Sequence, residues 1–477
     1  MNKYGMTFNG IRKDFLVTLR GKRRPPWAPL ERNLIPVIGM AGAHVGGTTI
    51  QPLPLEIPVL LESRDLEELK VLREELAEWL VTDEPKELIF DDEPNRIYYA
   101  MLDGSTDIDV MTRVGVGMLN FICPDPFRYS SHENNIFIQD SDNVYNLGSA
   151  EADPIFTLDV IQPITYAMIS NGEEYMMIGN PSPVEKVPYV RQDLIMHDTC
   201  DTTDGWAVAN YVDNGVVTGN MISKNGGFTN ETVGTPVEPL NWQGPSIKRS
   251  IGESLQDFRI DIKVSLTNSN GETGMIEVYL LDVSNNVVVK IGIEDIWRGS
   301  KKVQGKFQLG TLENRHQYYK QADYAPAWND FNGVLKIFRS GNRIRPYFAL
   351  IEPNGRYNWV SSSYLYVDEK AEYLTPITQV QVATRMYPAT KVSKMSIKDI
   401  KVWRYNEEPV DGGVPYIAEP GDRITFDHKT GDALINGEPV SFDFGSEFFK
   451  LQKGPNSIIV SPEQSFETSV RFRERYR

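Results

Sequence analysis

The stretch that decides the fold is residues 66–102, which read LEELKVLREELAEWLVTDEPKELIFDDEPNRIYYAML. Apolar residues recur in its first half at three- and four-residue steps: Leu66, Leu69, Leu72, Leu76, Trp79 and Leu80. That spacing predicts an amphipathic helix. Asp65 and Glu68 indicate its start. Pro85 predicts an end near Thr82 or Asp83, because proline cannot continue a helix.

The second half of the stretch predicts two strands joined by a tight turn. Residues 88–90 and 96–102 are mainly apolar and aromatic, and the acidic residues 91–95 between them include a proline. A further strand is expected from residue 115 onward, and it stops at Pro124 and Pro126. Together these signals predict one helix packed on an antiparallel sheet.

The rest of the chain favours a mostly β protein with several domains. Its 477 residues exceed one typical domain. Alternating strands with Asn-Gly turns predict a β-sandwich in two separated parts, residues 130–195 and 412–477. Residues 196–406 between them have their own closely spaced strands. These predict an inserted jelly-roll sandwich, similar in strand pattern to the concanavalin- and laminin-G-like modules of sugar-binding proteins.

Charge and cysteine content exclude several classes of protein. The net charge is −16, whereas a nucleic-acid-binding protein needs a basic stripe, so no nucleic-acid partner is expected. No apolar run is long enough for a membrane span. The N-terminus lacks the apolar segment of a secretory signal, so we expect synthesis and folding in a cytoplasm. Cys123 and Cys200 are interpreted as two buried thiols without a disulfide framework.

The order helix, strand, acidic turn, strand, and then the run from Cys123 to Tyr129 (CPDPFRY) resembles the distal tail protein family of siphophages. The resemblance covers residues 1–195 and the C-terminal part. It implies that residues 1–129 are a β-rich, ring-forming tail domain. It also implies that residues 130–195 and 412–477 are the two parts of a galectin-like C-terminal domain. Residues 196–406 would then be an inserted module of the carbohydrate-binding type.

The same resemblance implies a place at the distal end of a phage tail and a structural role. Six copies would form a ring that joins the tail tube protein to a tail-associated lysin or other tail-tip protein, with receptor-binding proteins as further partners. The basic residues 22–24 are either a solvated loop or a contact with a neighbouring ring subunit or the tail tube. A tail-like bacteriocin would have the same parts, and the sequence leaves that alternative open.

Aromatic residues mark the insertion as a candidate binder of host cell-wall glycan. Sugars present apolar faces that stack on aromatic rings, while polar neighbours bond the hydroxyl groups. Three tryptophans of the insertion stand in polar, loop-like contexts, near two tyrosines and an asparagine. The candidate carbohydrate site is therefore Trp297, Tyr318, Tyr319, Trp328, Asn329 and Trp359. The alternative for each residue is a packed or capping side chain.

No motif in the sequence indicates catalysis or a cofactor. A nucleophile elbow, a zinc signature and a phosphate or dinucleotide loop are all missing. We therefore expect a protein that is not an enzyme and that has no cofactor or catalytic metal. Calcium at residues 213–215 or 268–272 stays open, although neither has EF-hand spacing. Two alternatives also stay open: the same ring with a purely structural insertion, and a carbohydrate-active enzyme that uses the jelly roll.

Overall fold

The computed structural model describes residues 4–105, 108–111, 114–181, 186–269, 271–410 and 412–477. It has two compact units. The first comprises Met1–Gly179, Glu419–Leu434 and Val440–Arg477, and the second comprises Asn180–Ala418 and Ile435–Pro439. Strands make up 54% of the structure and helix 4%, which confirms the mostly β fold. The boundaries of the four segments predicted from the sequence stay a prediction.

The N-terminal part of the first unit is a large sheet with one α-helix. Its elements in chain order are β1 (Met6–Phe8), β2 (Ile11–Arg12), β3 (Leu16–Thr18), β4 (Leu30–Pro36), β5 (Ala43–Ile50), β6 (Leu53–Glu62), α1 (Leu66–Leu80), β7 (Lys86–Phe90), β8 (Arg96–Leu102), β9 (Ile108–Met111), β10 (Val114–Cys123) and β11 (Arg128–Ser130). The sheet order is β2-β1-β7-β8-β10-β6-β3, with β9 beside β10 and β11 beside β8.

The predicted helix is confirmed, with a difference at its end. The Asp65 carboxylate accepts a hydrogen bond from the Glu68 backbone N–H at 2.8 Å, which caps the first turn. The helix ends at Leu80, earlier than predicted, because Val81 already has an extended backbone. Four residues of the predicted apolar stripe are buried against the sheet: Leu69, Leu76, Trp79 and Leu80. Leu66 instead remains 43% exposed.

The basic residues that follow β3 are neutralised within their own domain. Lys22 and Arg24 form ion pairs with Asp92 at 3.0 and 2.8 Å. Arg23 pairs with Glu56 at 3.1 Å. These cations therefore fasten the loop to the domain that carries them, since each already has a carboxylate partner.

Strands β4 and β5 form a separate two-stranded hairpin. Every residue of β4 is exposed, and so is all of β5 except the partly buried Ala43. The hairpin nevertheless carries large apolar side chains at Leu30, Leu34, Ile35, Val37, Ile38, Met40, Val45 and Ile50. A two-stranded hairpin is only marginally stable on its own in water. Because its apolar residues are exposed, they do not form a core that would stabilise this hairpin.

The chain then forms the first strands of a sandwich: β12 (Asn134–Ile138), β13 (Ser141–Asn146), β14 (Ile155–Val160), β15 (Tyr166–Ser170) and β16 (Tyr175–Gly179). Their partners come from the C-terminal part of the chain and are given below. The Asn171-Gly172 turn joins β15 to β16, as the sequence predicts, and Gly172 has a φ of +94°.

The second unit is a jelly-roll sandwich. Its strands are β17 (Pro188–Tyr189), β18 (Gln192–Asp198), β19 (Ala207–Val208), β20 (Gly215–Val217), β21 (Asn220–Ser223), β22 (Phe228–Thr232), β23 (Trp242–Gly244), β24 (Ser246–Leu255), β25 (Phe258–Thr267), β26 (Glu272–Leu281), β27 (Val287–Asp295), β28 (Gln304–Leu309), β29 (His316–Lys320), β30 (Phe331–Ser340), β31 (Arg343–Ile351), β32 (Tyr357–Ser361), β33 (Tyr366–Val367), β34 (Ile377–Arg385), β35 (Lys391–Val392), β36 (Lys394–Tyr405) and β37 (Val414–Pro415).

Two large sheets enclose the core of this unit. One has the order β21-β22-β36-β25-β30-β31-β32 and the other β19-β24-β34-β26-β27-β28-β29. A single large apolar cluster lies between them, with Trp328, Phe348 and Ile291 among its fully buried members. The inner face of the second sheet supplies Ile276, Val278 and further apolar residues of β26 and β27 to this core.

The C-terminal strands complete the sandwich of the first unit. They are β38 (Arg423–Asp427), β39 (Asp432–Ile435), β41 (Gly454–Ser461), β42 (Phe466–Phe472) and β43 (Arg475–Tyr476), whereas β40 (Glu438–Pro439) belongs to the second unit. One sheet contains β12-β42-β14-β38-β39, and the other has the order β13-β41-β15-β16. Because β14 pairs with both β38 and β42, strands distant in sequence form one sandwich, which confirms the predicted interrupted fold.

Candidate functional site

A cleft of about 510 Å³ lies over the outer face of the second unit's sheet that contains β26 to β29. Its lining combines aromatic side chains with charged ones: Trp242, Tyr319, Tyr387, Glu294, Arg298 and Lys306. Pockets that bind small ligands are typically lined by aromatic side chains with a small number of polar groups, and this cleft has that composition.

Strand register brings the charged residues of the cleft together. Gly292 of β27 pairs with Glu277 on one side and Lys306 on the other, and Lys306 pairs with Tyr319 of β29. Gly292 has no side chain, so the Lys306 ammonium reaches over it to within 3.6 Å of Glu277. A Cβ at Gly292 would lie 2.5 Å from the Ile276 carbonyl oxygen, which is too close for any other residue.

Glu294 and Lys306 form the floor of the cleft. Glu294 is 3% exposed, and its Oε1 accepts a hydrogen bond from the Gln304 side-chain amide at 2.8 Å. Its Oε2 is buried without a hydrogen-bond partner among the described residues and lies 3.6 Å from Lys306 Nζ. Both distances from Lys306 to its carboxylates exceed normal hydrogen-bond length. The floor therefore has an acceptor and donors with unused capacity.

A buried ionic network supports this floor. Arg385 and Tyr279 both donate hydrogen bonds to Glu277 Oε2, the tyrosine at 2.6 Å. Lys290 pairs with Asp213 at 2.7 Å and lies 3.4 Å from Glu277, and all three residues are 1% exposed. Burial alone would raise the pKa of Glu277, but the surrounding cations hold it well below its usual value. Glu277 therefore stays ionised, so it cannot act as a proton donor near neutral pH.

The same balance fixes the charge of Lys306. Burial would lower the pKa of its ammonium, but the carboxylates of Glu277 and Glu294 outweigh that effect and raise it. Lys306 is thus a permanent cation at the floor. It is held between two carboxylates, so its position is set by the network below the cleft.

The rim of the cleft is the loop that follows β27. Asp295 is fully buried, and its carboxylate accepts hydrogen bonds from the backbone N–H groups of Trp297 at 3.1 Å and Lys302 at 2.9 Å. This one side chain therefore holds both ends of the loop that carries Arg298. Lys302 Nζ lies 5.4 Å from the centroid of the Trp297 ring.

Aromatic rings form the walls. Trp242 and Tyr387 meet edge to face with ring centroids 5.9 Å apart. The Arg298 guanidinium lies 4.7 Å above the Tyr387 ring, and Lys306 Nζ lies 6.0 Å from the centre of the Tyr319 ring. These are cation–π distances, which leave the cations free to bond a ligand as well.

The structure brings only part of the predicted carbohydrate site to this cleft. Tyr319 lines it and is 48% exposed. Trp297 is 44% exposed and follows Ile296, which also lines the cleft. Tyr318 points to the other side of β29, where its ring stacks on Tyr364 at 3.9 Å and packs against the core.

The other predicted residues lie elsewhere. Trp328 is fully buried, which corrects its prediction as a sugar platform, because the core encloses its ring. The Asn329 amide is bonded at both ends to backbone, accepting from Val303 N–H and donating to the Lys301 carbonyl, each at 3.2 Å. Trp359 is 41% exposed, has a φ of +49° and lies beside Tyr324, and it is not among the described residues that line the cleft.

Several cleft residues were missed from the sequence. Glu294 and Lys306 had a signal, since charged residues alternate with apolar ones in β27 and β28 and mark the outer face of the sheet. No sequence signal indicated that Trp242 and Tyr387 belong to the same site, because the two residues are distant in sequence. They meet through the bridge between Gln243 and Met386.

The described part of the chain shows no group of three or more histidine, cysteine, aspartate or glutamate side chains that could hold a metal ion. Asn270, in one of the two candidate calcium loops, lies outside the described residues. Cys123 and Cys200 are both free and buried, as predicted, and burial raises the pKa of the Cys123 thiol to about 12. Of the helices that the structure describes, none is long and apolar enough to cross a membrane.

Comparison with known families identifies both ends of the chain. Residues 13–123 match a phage tail protein RIFT-related domain, and residues 384–476 match the C-terminal domain of a siphovirus-type tail component. The chain therefore carries one segment near each end that is similar to a domain of phage tail proteins. Both matches agree with the resemblance to the distal tail protein family of siphophages that the order of the sequence elements indicates. No match is found among curated protein sequences.

Three solved structures are similar to parts of the chain. The SPP1 distal tail protein, Dit, is 20% identical, covers 37% of this chain and 74% of its own, and has a TM-score of 0.34. The CBM2 module of the evolved Dit of Lactobacillus casei BL23 phage J-1 is 16% identical over 46% and 98%, with a TM-score of 0.39. A laminarinase from Rhodothermus marinus is 14% identical over 45% and 98%, with a TM-score of 0.33.

Proposed function

We propose that the chain forms a hexameric ring at the tail tip, joining the tail tube protein to tail-tip proteins such as a tail-associated lysin or receptor-binding proteins. The β4–β5 hairpin is the observation that carries this proposal. Its apolar side chains are exposed, and its two strands have no further sheet partner among the residues that the structure describes, so burial against a neighbouring copy would stabilise it. A repeated contact of this kind closes into a ring when the rotation between copies allows it.

Light scattering of the purified full chain tests the ring. Six copies of the 54.1 kDa chain give a mass of about 325 kDa. A triple variant, Leu34→Thr, Ile35→Thr and Val45→Thr, should shift that mass toward one chain, because it removes apolar surface from the hairpin. Val283→Thr, at a site 80% exposed in the second unit, is the matched control. A monomeric natural chain at every concentration would count against the ring.

The second unit supplies the other half of the proposed function, binding of host-surface carbohydrate. The cleft supports this half because it combines aromatic walls with a buried acceptor and a cation that retain unused hydrogen-bonding capacity. Sugars need both, since rings stack on their apolar faces and polar groups bond their hydroxyls. Repeated copies in a ring would raise the avidity of a weak site.

We also propose that the cleft binds without hydrolysis. Most glycosidases need two carboxyl groups that flank the bond, one of them a proton donor with a raised pKa. Of the described residues that line the cleft, Glu294 is the one carboxylate. Glu277, below it, is held ionised by its cations. Incubation with the bound polysaccharide should therefore release no reducing sugar, and release above a denatured-protein control would support the enzyme alternative.

An array of bacterial cell-wall polysaccharides tests the binding half. The full chain should bind some members, and Trp242→Ala and Tyr319→Ala should each weaken that binding by about tenfold, because each removes a stacking face. Trp359→Ala removes a ring outside the cleft that is 41% exposed, similar to Tyr319 at 48%, and should leave binding unchanged. If the natural chain binds nothing, or if all three variants bind alike, the insertion is structural and this half is wrong.

A further inference from the structure

The rim loop of the cleft is cationic in a chain that is strongly acidic overall. The chain has a net charge of −16, yet residues 296–303 contain Arg298, Lys301 and Lys302 and no acidic residue. Lys301 has a partner, Asp330. Arg298 and Lys302 form no ion pair with any residue that the structure describes, although both side chains are placed beside aromatic rings.

The floor of the cleft carries both signs of charge, the carboxylate of Glu294 and the ammonium of Lys306. Glu294 presents a buried oxygen with no hydrogen-bond partner among the described residues. Leaving a buried acceptor unpaired costs free energy, and a ligand hydroxyl at this position would remove that cost. A hydroxyl-bearing ligand with a negative group at one edge would therefore bind in one orientation, with its hydroxyls on the floor and its charge at the rim.

From this arrangement we infer that the cleft binds an acidic saccharide. The sugar hydroxyls bond Glu294 and Lys306, and a carboxylate or phosphate group of the saccharide bonds Arg298, with Lys302 adding positive potential. The sugar ring packs against Trp242, Tyr387 or Tyr319. This inference rests on the proposed carbohydrate-binding function and adds the chemical class of the ligand.

Calorimetric titration of the full chain tests the inference with three probes. They are an oligogalacturonide, which carries carboxylates, a phosphorylated mannan oligosaccharide, which carries phosphate, and cellotetraose, which is neutral. We expect one or both acidic probes to bind at least tenfold more tightly than cellotetraose. The preference should shrink as salt is raised, because salt screens charges at an exposed rim. The acidic probe that binds better identifies the anion.

Arg298→Gln should lower the affinity for the acidic probe about tenfold, because the contact between the guanidinium and the negative group is lost. The affinity for cellotetraose should stay unchanged, since that probe has no negative group. Arg343→Gln, which alters an exposed arginine of β31, is the matched control and should have no effect. Both substitutions are at exposed sites, so an unchanged thermal midpoint would show that each variant folds.

The outcomes separate this inference from the function on which it rests. If cellotetraose binds as tightly as the acidic probes and Trp242→Ala weakens it, the carbohydrate function stands and the acidic ligand is wrong. If the acidic probes bind but Arg298→Gln does not change their affinity, the rim does not bind the negative group of the ligand and the inference is again wrong. If none of the three probes binds while wall polysaccharides do, the inference also fails and the proposed function stands.

Discussion

At the scale of single residues, the buried charges of the second unit are the most consequential feature. Glu277, Lys290 and Asp213 are each 1% exposed and are held by mutual ion pairs. Such groups are costly to bury, and removing one partner leaves the others uncompensated. The network thereby ties the position of Lys306 at the cleft floor to the stability of the sheet.

We predict that Glu277→Gln lowers the free energy of unfolding of the second unit by about 3–5 kcal/mol, because it leaves Arg385 and Lys290 without their shared counter-charge. Chemical denaturation followed by tryptophan fluorescence measures the change. The control is Asp323→Asn, which breaks the ion pair between Asp323 and Lys320. The Asp323 carboxylate is 85% exposed, so this substitution should change stability little. Equal effects of the two variants would contradict the importance of burial.

A second residue-scale feature is the buried His428 of the first unit. Its Nδ1 lies 2.8 Å from the carbonyl oxygen and 2.9 Å from the amide nitrogen of Phe449. Its Nε2 has no partner among the described residues. Burial lowers its pKa from 6.5 to about 4, against weaker opposing effects of Phe449 and Asp427. Folding therefore favours the neutral ring.

The sign of the resulting pH dependence follows from linkage. Between pH 6.5 and 4 the unfolded chain binds a proton at His428 that the folded chain does not, so acidification removes stability across that window. The loss should reach about 3 kcal/mol at pH 4. Denaturation at a series of pH values should show this slope in the natural chain and lack it in His428→Leu. His132→Leu, at an exposed site, should retain the slope.

At the scale of elements, helix α1 shows that only some residues of an apolar stripe become buried when the helix packs on the sheet. Leu69 is fully buried, whereas Leu66 at the first turn is 43% exposed, although both belong to the same three- and four-residue pattern. The stripe is wider than the face that the sheet covers. The helix end also depends on packing, since burial continues to Leu80 and the backbone then extends at Val81.

We predict that Leu69→Ala lowers the stability of the first unit by about 2–5 kcal/mol, because it opens a cavity in the core. Leu66→Ala makes the same chemical change at an exposed site of the same helix and should cost no more than about 0.5 kcal/mol. Thermal unfolding followed by circular dichroism compares the two variants. Similar losses would mean that the first turn is buried in solution.

At the scale of the whole molecule, the chain has separate cores in its two units. The core of the second unit contains Trp328 and Ile291, and that of the N-terminal domain contains Leu69 and Phe121. Proteins with several domains depart from two-state unfolding. We therefore predict at least two calorimetric transitions. Leu69→Ala should move one, and Glu277→Gln should move another. A single transition that both variants move equally would show that the units unfold as one.

The sequence by itself determined the features that depend on local periodicity and local backbone chemistry. The spacing of Leu69, Leu76 and Trp79 predicts a helix face, and Asn171-Gly172 predicts a hairpin turn, because each pattern operates within a few residues. The ordered set of elements around residues 66–129 also indicated a resemblance to phage tail proteins, which the match over residues 13–123 supports. The interrupted sandwich followed in the same way from alternating strands on both sides of an insertion.

Only the tertiary structure decided which side chains form the cleft. The contexts of Trp328 and Trp297 look alike in the sequence, yet the core encloses one and leaves the other 44% exposed. Trp242 reaches the cleft because its strand lies beside distant residues that include Tyr387. The register of β27 and β28 similarly brings Glu294 and Lys306 together. Such contacts depend on which strands pair and in what register, and short-range patterns do not encode that information.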